Sequence, residues 1–191
     1  MMNLANKLTL LRVLLIPFFL ICFYLEALSS RTFYFNNYPI AYTNIVALTI
    51  FLVAAITDFV DGYIARKYHM ITDFGKFMDP LADKLLVTAA LLIFIEQGKV
   101  AGWIVFIILA REFMVTGLRT VAASKGVVMA AGVSGKVKTV LQFVMIAVYL
   151  FNYPFTIMNV QLKPLLVWLV VIVTVASGME YLLKNLHVLK V

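Results

Sequence analysis

Residues 42–67 read YTNIVALTIFLVAAITDFVDGYIARK. The first sixteen of these residues include no charged side chain, and acids and bases follow only from position 58 onward. An uncharged run of this length, without strand-type alternation of polar and apolar residues, is typical of a helix that crosses hydrocarbon. The stretch therefore predicts a membrane-spanning helix whose far end carries charged side chains.

Long apolar runs of the same kind recur along the chain. Of its 191 residues, 64% are hydrophobic and 13% are charged, whereas a soluble domain has roughly half and a quarter. In lipid every backbone polar group must be hydrogen-bonded within the protein, and helices satisfy this requirement. Membrane-spanning helices therefore explain the composition better than a very hydrophobic soluble protein does. We predict an all-α integral membrane protein that forms one domain over residues 1–191, with six transmembrane helices near residues 9–28, 42–67, 80–97, 101–123, 135–153 and 163–184.

Lysine and arginine are distributed unevenly between the two ends of these runs. With the N-terminus inside, twelve basic residues fall on the inner side, three on the outer side and Arg111 within a span. Basic residues concentrate on the cytoplasmic side of membrane proteins. We therefore predict a multi-pass protein of the cell membrane with both termini in the cytoplasm. The net charge of +7 is explained by anionic membrane lipids and needs no nucleic acid. The inner residues are Lys7, Arg12, Arg66, Lys67, Lys76, Lys84, Arg119, Lys125, Lys136, Lys138, Lys184 and Lys190, and the outer residues are Arg31, Lys99 and Lys163.

A polar and aromatic segment lies between the first two runs. Residues 29–41 read SSRTFYFNNYPIA. Tyrosine and other aromatic side chains favour the boundary between lipid and water. We predict an outer loop over this segment, with its aromatic side chains in the interfacial belt.

All five aspartates of the chain lie in one stretch between the second and third spans. Asp58 and Asp61 are three residues apart, and Asp79 and Asp83 are four residues apart, so each pair shares one face of a helix. Two antiparallel helix ends can therefore each present two carboxylates. Because carboxylates at a membrane boundary repel each other and are costly to desolvate, this concentration calls for an explanation.

Divalent cations explain these acids better than ordinary ion pairs on a solvated cytoplasmic face do. Magnesium and manganese prefer oxygen ligands, and magnesium commonly keeps waters and phosphate oxygens beside a few carboxylates. Four carboxylates suffice for two metals about 4 Å apart, an arrangement used in phosphoryl displacement. We predict two Mg²⁺ or Mn²⁺ ions at Asp58, Asp61, Asp79 and Asp83.

Small residues lie on the same helix faces as the acids. Gly62, Ala65 and Gly75 remove side-chain bulk there, which leaves room for a planar base or a sugar. Close helix packing is the alternative explanation, because small residues also line helix contacts in membranes. Their position beside four acids and Arg66 favours a binding site.

The whole stretch forms one pattern with fixed gaps, Asp58-x2-Asp61-Gly62-x2-Ala65-Arg66-x8-Gly75-x3-Asp79-x3-Asp83. It resembles the signature of the CDP-alcohol phosphotransferases at every fixed position and every spacing. The resemblance implies a six-helix membrane fold, a homodimer and two divalent metals. It also implies transfer of a phosphatidyl or similar group from a CDP-linked donor to an alcohol, with release of CMP at the cytoplasmic side.

The resemblance assigns roles to individual residues. Asp58, Asp61 and Asp79 resemble metal ligands, and Asp83 resembles the residue that both neighbours the metals and acts as general base. The NKLT stretch at positions 6–9 resembles a contact to the donor, CDP-diacylglycerol, with helix capping as the alternative. The residues implied to bind the donor are Asn6, Thr9, Gly62, Ala65, Arg66, Thr72 and Gly75.

A second cluster is basic and lies in REFMVTGLR (111–119) and GKVKTVLQ (135–142). Ionisable residues within an apolar stretch commonly face a cavity, although a buried ion pair between Arg111 and Glu112 is an alternative. Arginine and lysine converge on anionic oxygens, which favours a phosphate pocket. The residues of this predicted pocket are Arg111, Arg119, Lys136, Lys138 and Thr139.

Both basic strings resemble the branch of the family whose acceptor is sn-glycerol 3-phosphate. The resemblance implies that the phosphatidyl group of CDP-diacylglycerol passes to that acceptor, giving phosphatidylglycerophosphate and CMP. An inositol phosphate acceptor would also need a basic pocket and is the rival within the family. Outside the enzyme class, a divalent-metal transporter or a lipid-binding scaffold is disfavoured. The acids cluster at one face, and neither function explains the glycine, alanine and arginine spacing.

Overall fold

Long helices dominate the computed structural model, which describes residues 4–67, 73–126, 132–157 and 160–189. Of these, the backbone alone is described at residues 4–7, 59, 61–67, 73–77, 79, 80, 157 and 186–189. Six of the described helices are long, and each coincides with one predicted apolar run. The helices are α1 (Leu4–Ile21), α2 (Glu26–Ser29), α3 (Tyr42–Lys67), α4 (Asp73–Glu96), α5 (Gly102–Ser124), α6 (Val133–Phe151) and α7 (Leu162–Leu189).

Within the described residues, two helices are long and apolar enough to cross a membrane by themselves. They are Val133–Phe151, with a mean hydropathy of 1.4, and Leu162–Asn185, with a mean hydropathy of 2.0. Shorter apolar segments lie at Leu8–Ile21 and Tyr42–Asp58. Long apolar helices agree with a membrane protein. The six spans and the cytoplasmic termini stay predictions.

The chain divides into two compact units. Unit 1 comprises Met1–Ile93 and Ile146–Tyr153, and unit 2 comprises Phe94–Met145 and Pro154–Val191. In unit 1, α1 packs against α3, and in unit 2, α5 packs against α7. The assignment of residues 1–191 to one domain stays a prediction.

The buried face of α3 shows how unit 1 is held together. Ala47, Phe51 and Ala54 are buried and follow one another at intervals of four and three residues, which is the spacing of one helix face. Two alanines on that face suit a close helix contact. On another face Ile56 is 61% exposed, as a helix surrounded by lipid allows.

Residues 32–41 form a hairpin within the segment for which the sequence predicts an outer loop. Strand β1 (Thr32–Phe35) pairs antiparallel with β2 (Tyr38–Ala41), and Phe35 lies opposite Tyr38. Asn36 and Asn37 make the two-residue turn with φ angles of 48° and 61°, a left-handed conformation that asparagine tolerates. A shorter hairpin joins β3 (Thr156–Ile157) to β4 (Val160–Gln161). The described chain is therefore mostly helical, as predicted, and two short hairpins accompany the helices.

Aromatic side chains at and just after the end of α6 anchor the first hairpin within unit 1. The ring of Phe35 lies 5.4 Å from that of Phe151 and 5.3 Å from that of Tyr153, both edge to face. Tyr38 lies 5.7 Å from Tyr153, and Nδ2 of Asn36 donates a hydrogen bond to the Tyr153 hydroxyl at 3.0 Å. That hydrogen bond joins positions 117 residues apart in the chain.

Helix α1 ends earlier than the predicted run over residues 9–28. The N–H groups of Phe23 and Tyr24 bond to carbonyls three residues back, at 3.1 and 2.9 Å. Such tightened bonds satisfy the last carbonyls of a helix and close it. No glycine or proline stands close after Ile21, so composition alone predicts a longer helix.

Candidate active site

Asp58 of α3 lies beside a buried arginine of α1. Nη1 of Arg12 is 2.6 Å from Oδ1 of Asp58, and the arginine side chain is 1% exposed while the aspartate is 41% exposed. The packing of α1 on α3 brings the two together. Asp58 Oδ2 has no partner among the described residues. The charged pair therefore orients the carboxylate of Asp58.

The helices carry the other predicted metal ligands at the predicted spacing. Asp61 follows Asp58 within α3, and Asp79 and Asp83 both lie within α4. The side chain of Asp83 is half-buried, next to the fully buried Ala82. The side chains of Asp61 and Asp79 lie outside the described part of the structure.

The chemistry of these donors fits a hard divalent cation. Carboxylate oxygens are the ligands that magnesium and manganese prefer, and Asp58 supplies such a carboxylate. Among the side chains that the structure describes, no three acids, histidines or cysteines come together as a metal site. Because Asp61 and Asp79 are not among those side chains, the four-carboxylate metal site stays a prediction.

The residues predicted to bind the donor lie mostly on the same helices of unit 1. Thr9 is buried on α1, three residues before Arg12 and therefore on the same helix face. Thr72 lies outside the described residues. For the remaining residues the backbone is helical and the side chains are outside the described part; these are Asn6 in α1, Gly62, Ala65 and Arg66 in α3, and Gly75 in α4.

The basic cluster of unit 2 centres on Glu112. Oε1 of Glu112 is in direct contact with Nζ of Lys138, which is 3% exposed, and lies 3.6 Å from Nη1 of Arg111. Nη2 of Arg111 donates a hydrogen bond to the Ser177 hydroxyl at 3.3 Å. Arg111 and Lys138 therefore converge on one acid, as the ion-pair alternative describes for Arg111 and Glu112. The phosphate pocket stays a prediction.

Two glycines leave space for the Arg111 side chain. A Cβ at Gly178 of α7 would stand 3.0 Å from Arg111 Cγ, and a Cβ at Gly135 of α6 would stand 3.6 Å from Arg111 Nη2. The Arg111 side chain, which extends from α5, therefore lies close to both α6 and α7. This close approach explains why glycine serves at position 178, where a larger side chain would displace the arginine.

The other predicted phosphate ligands are more open. Arg119 is exposed; its Nε donates to the Tyr181 hydroxyl at 3.0 Å, and its guanidinium lies over the Tyr181 ring. Its two terminal nitrogens have no partner among the described residues. Lys136 is also exposed. Thr139 donates to the carbonyl of Gly135 at 3.1 Å within α6.

Three side chains that contact the predicted residues are not among those that the sequence singles out. The sequence-based prediction includes Arg12 only among the basic residues of the inner side. Its position inside an apolar run, one turn after Thr9, is nevertheless a signal of function. Ser177 and Tyr181 carry no such signal. Their contacts depend on how α7 packs against α5, which a single sequence does not reveal.

The chain matches the family model of CDP-alcohol phosphatidyltransferase over residues 2–176. It is 44% identical to the CDP-diacylglycerol–glycerol-3-phosphate 3-phosphatidyltransferase of Bacillus subtilis, over 100% of this chain and 98% of that protein. Proteins of the same name from Rickettsia bellii and Salmonella paratyphi A are 36% and 39% identical, over 94% and 76% of this chain and 93% and 75% of those proteins. The similarity therefore extends through both units.

Proposed function

Because the chain belongs to the CDP-alcohol phosphatidyltransferase family, we propose that it transfers the phosphatidyl group of CDP-diacylglycerol to sn-glycerol 3-phosphate. The products are phosphatidylglycerophosphate and CMP. The aspartate pairs carried by α3 and α4 are the observation on which the proposal rests. The names of the relatives support the two substrates.

Two divalent ions, Mg²⁺ or Mn²⁺, bind at Asp58, Asp61, Asp79 and Asp83 in this proposal. Ions held by these carboxylates would neutralise the pyrophosphate of the donor and would stabilise the departing CMP. Arg12 engages one oxygen of Asp58, so that this residue offers the other one. The nucleotide lies along the small-residue faces and the N-terminal stretch, contacting Asn6, Thr9, Gly62, Ala65, Arg66, Thr72 and Gly75.

The transfer step is a displacement at phosphorus. The acceptor hydroxyl oxygen bonds to the phosphorus that carries the diacylglycerol, and the bond from that phosphorus to the CMP oxygen breaks. Asp83 takes the hydroxyl proton as the new bond forms, since a positioned carboxylate can act as general base. The side chain of Asp83 is half-buried within α4.

The phosphate of the acceptor binds at the basic cluster of unit 2. Arg119 and Lys136 contribute open donors, and Arg111 and Lys138 contribute cations already held by Glu112. Thr139 lies one position after Lys138 and completes the predicted set. Charged hydrogen bonds to a phosphate dianion explain why an acceptor without phosphate would bind poorly.

The acceptor assignment is tested by CMP release from CDP-diacylglycerol and Mg²⁺ with sn-glycerol 3-phosphate, glycerol, serine and inositol phosphate compared side by side. We expect sn-glycerol 3-phosphate to be the best acceptor. We also expect Arg119→Ala and Lys136→Ala each to raise its KM by about 10- to 100-fold, because each removes a charged hydrogen bond. The KM for CDP-diacylglycerol should change much less.

Lys184→Ala is the matched control, since Lys184 is an exposed lysine of α7 that pairs with Glu180. It removes the same charge and should leave the acceptor KM unchanged. A preference for serine or inositol phosphate would contradict the acceptor and leave the family intact. Absence of CMP with every alcohol, together with metal uptake into vesicles, would favour a transporter.

The proposed topology has six spans, cytoplasmic termini and an active site that faces the cytoplasm of the cell membrane. The chain works as a homodimer, as the family resemblance implies. The twelve-to-three distribution of basic residues supports the orientation.

Labelling of single cysteines in intact cells tests the orientation, starting from a Cys22→Ala background because Cys22 is the chain's one cysteine. Ser30→Cys, which precedes the hairpin, should react with a membrane-impermeant maleimide from outside. Ser124→Cys, at the end of α5, should react only after the membrane is opened. Both positions are exposed, so burial does not explain a lack of reaction. Labelling of Ser124→Cys in intact cells would contradict the topology.

A further inference from the structure

Glu112 is an acid in the middle of an apolar helix, and the proposed reaction gives it no role of its own. It lies in α5, which spans Gly102–Ser124, and its side chain is 19% exposed. Ionisable side chains at such positions are costly and usually serve a site. Its neighbours are the cations proposed to bind the acceptor phosphate.

The two oxygens of the Glu112 carboxylate have different surroundings. Oε1 is in contact with Nζ of Lys138 and lies 3.6 Å from Nη1 of Arg111. Oε2 has no partner among the described residues. A carboxylate can accept several hydrogen bonds, and when ionised it donates none. The cluster therefore presents one unused acceptor directly beside two cations.

Rigid surroundings keep that unused oxygen in place. Lys138 is 3% exposed, so its ammonium cannot follow a moving partner into solvent. Arg111 is held by Ser177 and confined by Gly178, whose Cβ would stand 3.0 Å from Arg111 Cγ. With both cations fixed, the carboxylate between them has little freedom to turn, and Oε2 keeps its direction.

We propose that Glu112 is a specificity-determining residue, whose Oε2 accepts a hydrogen bond from the middle hydroxyl of the acceptor. The inference rests on the proposed function, in which the adjacent cations hold the phosphate of sn-glycerol 3-phosphate. In that acceptor the middle hydroxyl is on the carbon next to the one that carries the phosphate ester. A group placed beside the phosphate ligands is therefore well situated to read it.

The chemistry of the carboxylate makes the selection directional. A hydroxyl can donate to Oε2, whereas a carbonyl oxygen at the same carbon can only accept and is repelled. Dihydroxyacetone phosphate carries that carbonyl and keeps both the phosphate and the terminal hydroxyl that attacks. 3-Hydroxypropyl phosphate keeps the same two groups and has no oxygen at the middle carbon. These two compounds isolate the contribution of the middle position.

The test compares kcat/KM for sn-glycerol 3-phosphate and dihydroxyacetone phosphate in the wild type and in Glu112→Gln. In the variant the amide oxygen stays with the donor Lys138, so the amide NH₂ replaces Oε2 and can donate to a carbonyl. The preference for sn-glycerol 3-phosphate should therefore fall by at least about tenfold. Differences in intrinsic reactivity between the two acceptors cancel in this ratio.

Glu180→Gln is the control, because it makes the same change at an exposed carboxylate of α7 and should leave the preference unchanged. An unchanged preference in Glu112→Gln would overturn the proposal and leave Glu112 only as the partner of two cations. A second measurement needs no variant: the wild type should use 3-hydroxypropyl phosphate at least about tenfold less efficiently than sn-glycerol 3-phosphate. Equal use would also overturn it. Failure of the wild type to use sn-glycerol 3-phosphate at all would instead contradict the proposed function.

Discussion

Replacing Asp61 with alanine is expected to lower CMP release by at least about 10³-fold. Asp61 lies one turn after Asp58 on α3, so the two positions share one face of the helix. Loss of one ligand weakens the binding of a metal ion that would stabilise the charge of the transition state by several kcal/mol. Each ~1.4 kcal/mol of that stabilisation corresponds to a factor of ten in rate. The fold should survive, because the substitution removes a carboxylate and adds no bulk.

The measurement is turnover at saturating CDP-diacylglycerol and sn-glycerol 3-phosphate, followed over a range of Mg²⁺ concentrations. Chelator should abolish wild-type turnover, and added Mg²⁺ or Mn²⁺ should restore it. Asp73→Ala is the matched control, since Asp73 begins α4 and is the aspartate outside the signature; it should retain near-normal turnover. Full wild-type activity in excess chelator would refute the metal role.

Asp83→Asn is expected to reduce turnover by about 10²- to 10⁴-fold, the usual contribution of a general base. Asparagine preserves the size of the side chain and one acceptor oxygen, but it does not take up the acceptor's proton. Asp83 lies in α4, four residues after Asp79. If its main role is that of a base, binding of the donor should largely persist.

Two measurements separate the roles of Asp83. Turnover under single-turnover conditions reports the chemical step, and equilibrium binding of CDP-diacylglycerol with Mg²⁺ reports the donor site. Slow turnover with retained binding supports a base. Loss of binding as well identifies Asp83 mainly as a metal ligand, and near-normal turnover rejects both assignments.

The sequence predicts the helical architecture well because the physical signal is strong. Each of the six apolar runs coincides with a long helix in the described residues, since only internal hydrogen bonding satisfies the backbone in lipid. The aspartate spacing likewise predicts the placement of Asp58 and Asp61 on one helix and of Asp79 and Asp83 on the next. Both inferences use local periodicity, which a single sequence contains.

Features that depend on local turn geometry or on distant contacts are harder to predict. Two asparagines between short aromatic stretches are a known hairpin signal, but the interfacial aromatic pattern over residues 29–41 favours a loop equally. The contact of Arg12 with Asp58 depends on how α1 packs against α3. The contact of the Glu112 carboxylate with Lys138, in addition to Arg111, depends on how α5 and α6 are arranged. None of these leaves a periodic pattern in the sequence.

The anchoring of the first hairpin has a consequence for the timing of biosynthesis. Unit 1 is discontinuous, and Phe94–Met145 must be synthesised before its last piece, Ile146–Tyr153, exists. Translation at about 5–20 residues per second makes that interval roughly 3–10 s. During this time β1 and β2 lack Phe151 and Tyr153, and an isolated two-stranded hairpin is only marginally stable in water. The hairpin therefore gains its anchor late in synthesis, and a nascent chain arrested before residue 146 has both strands but none of the rings that hold them.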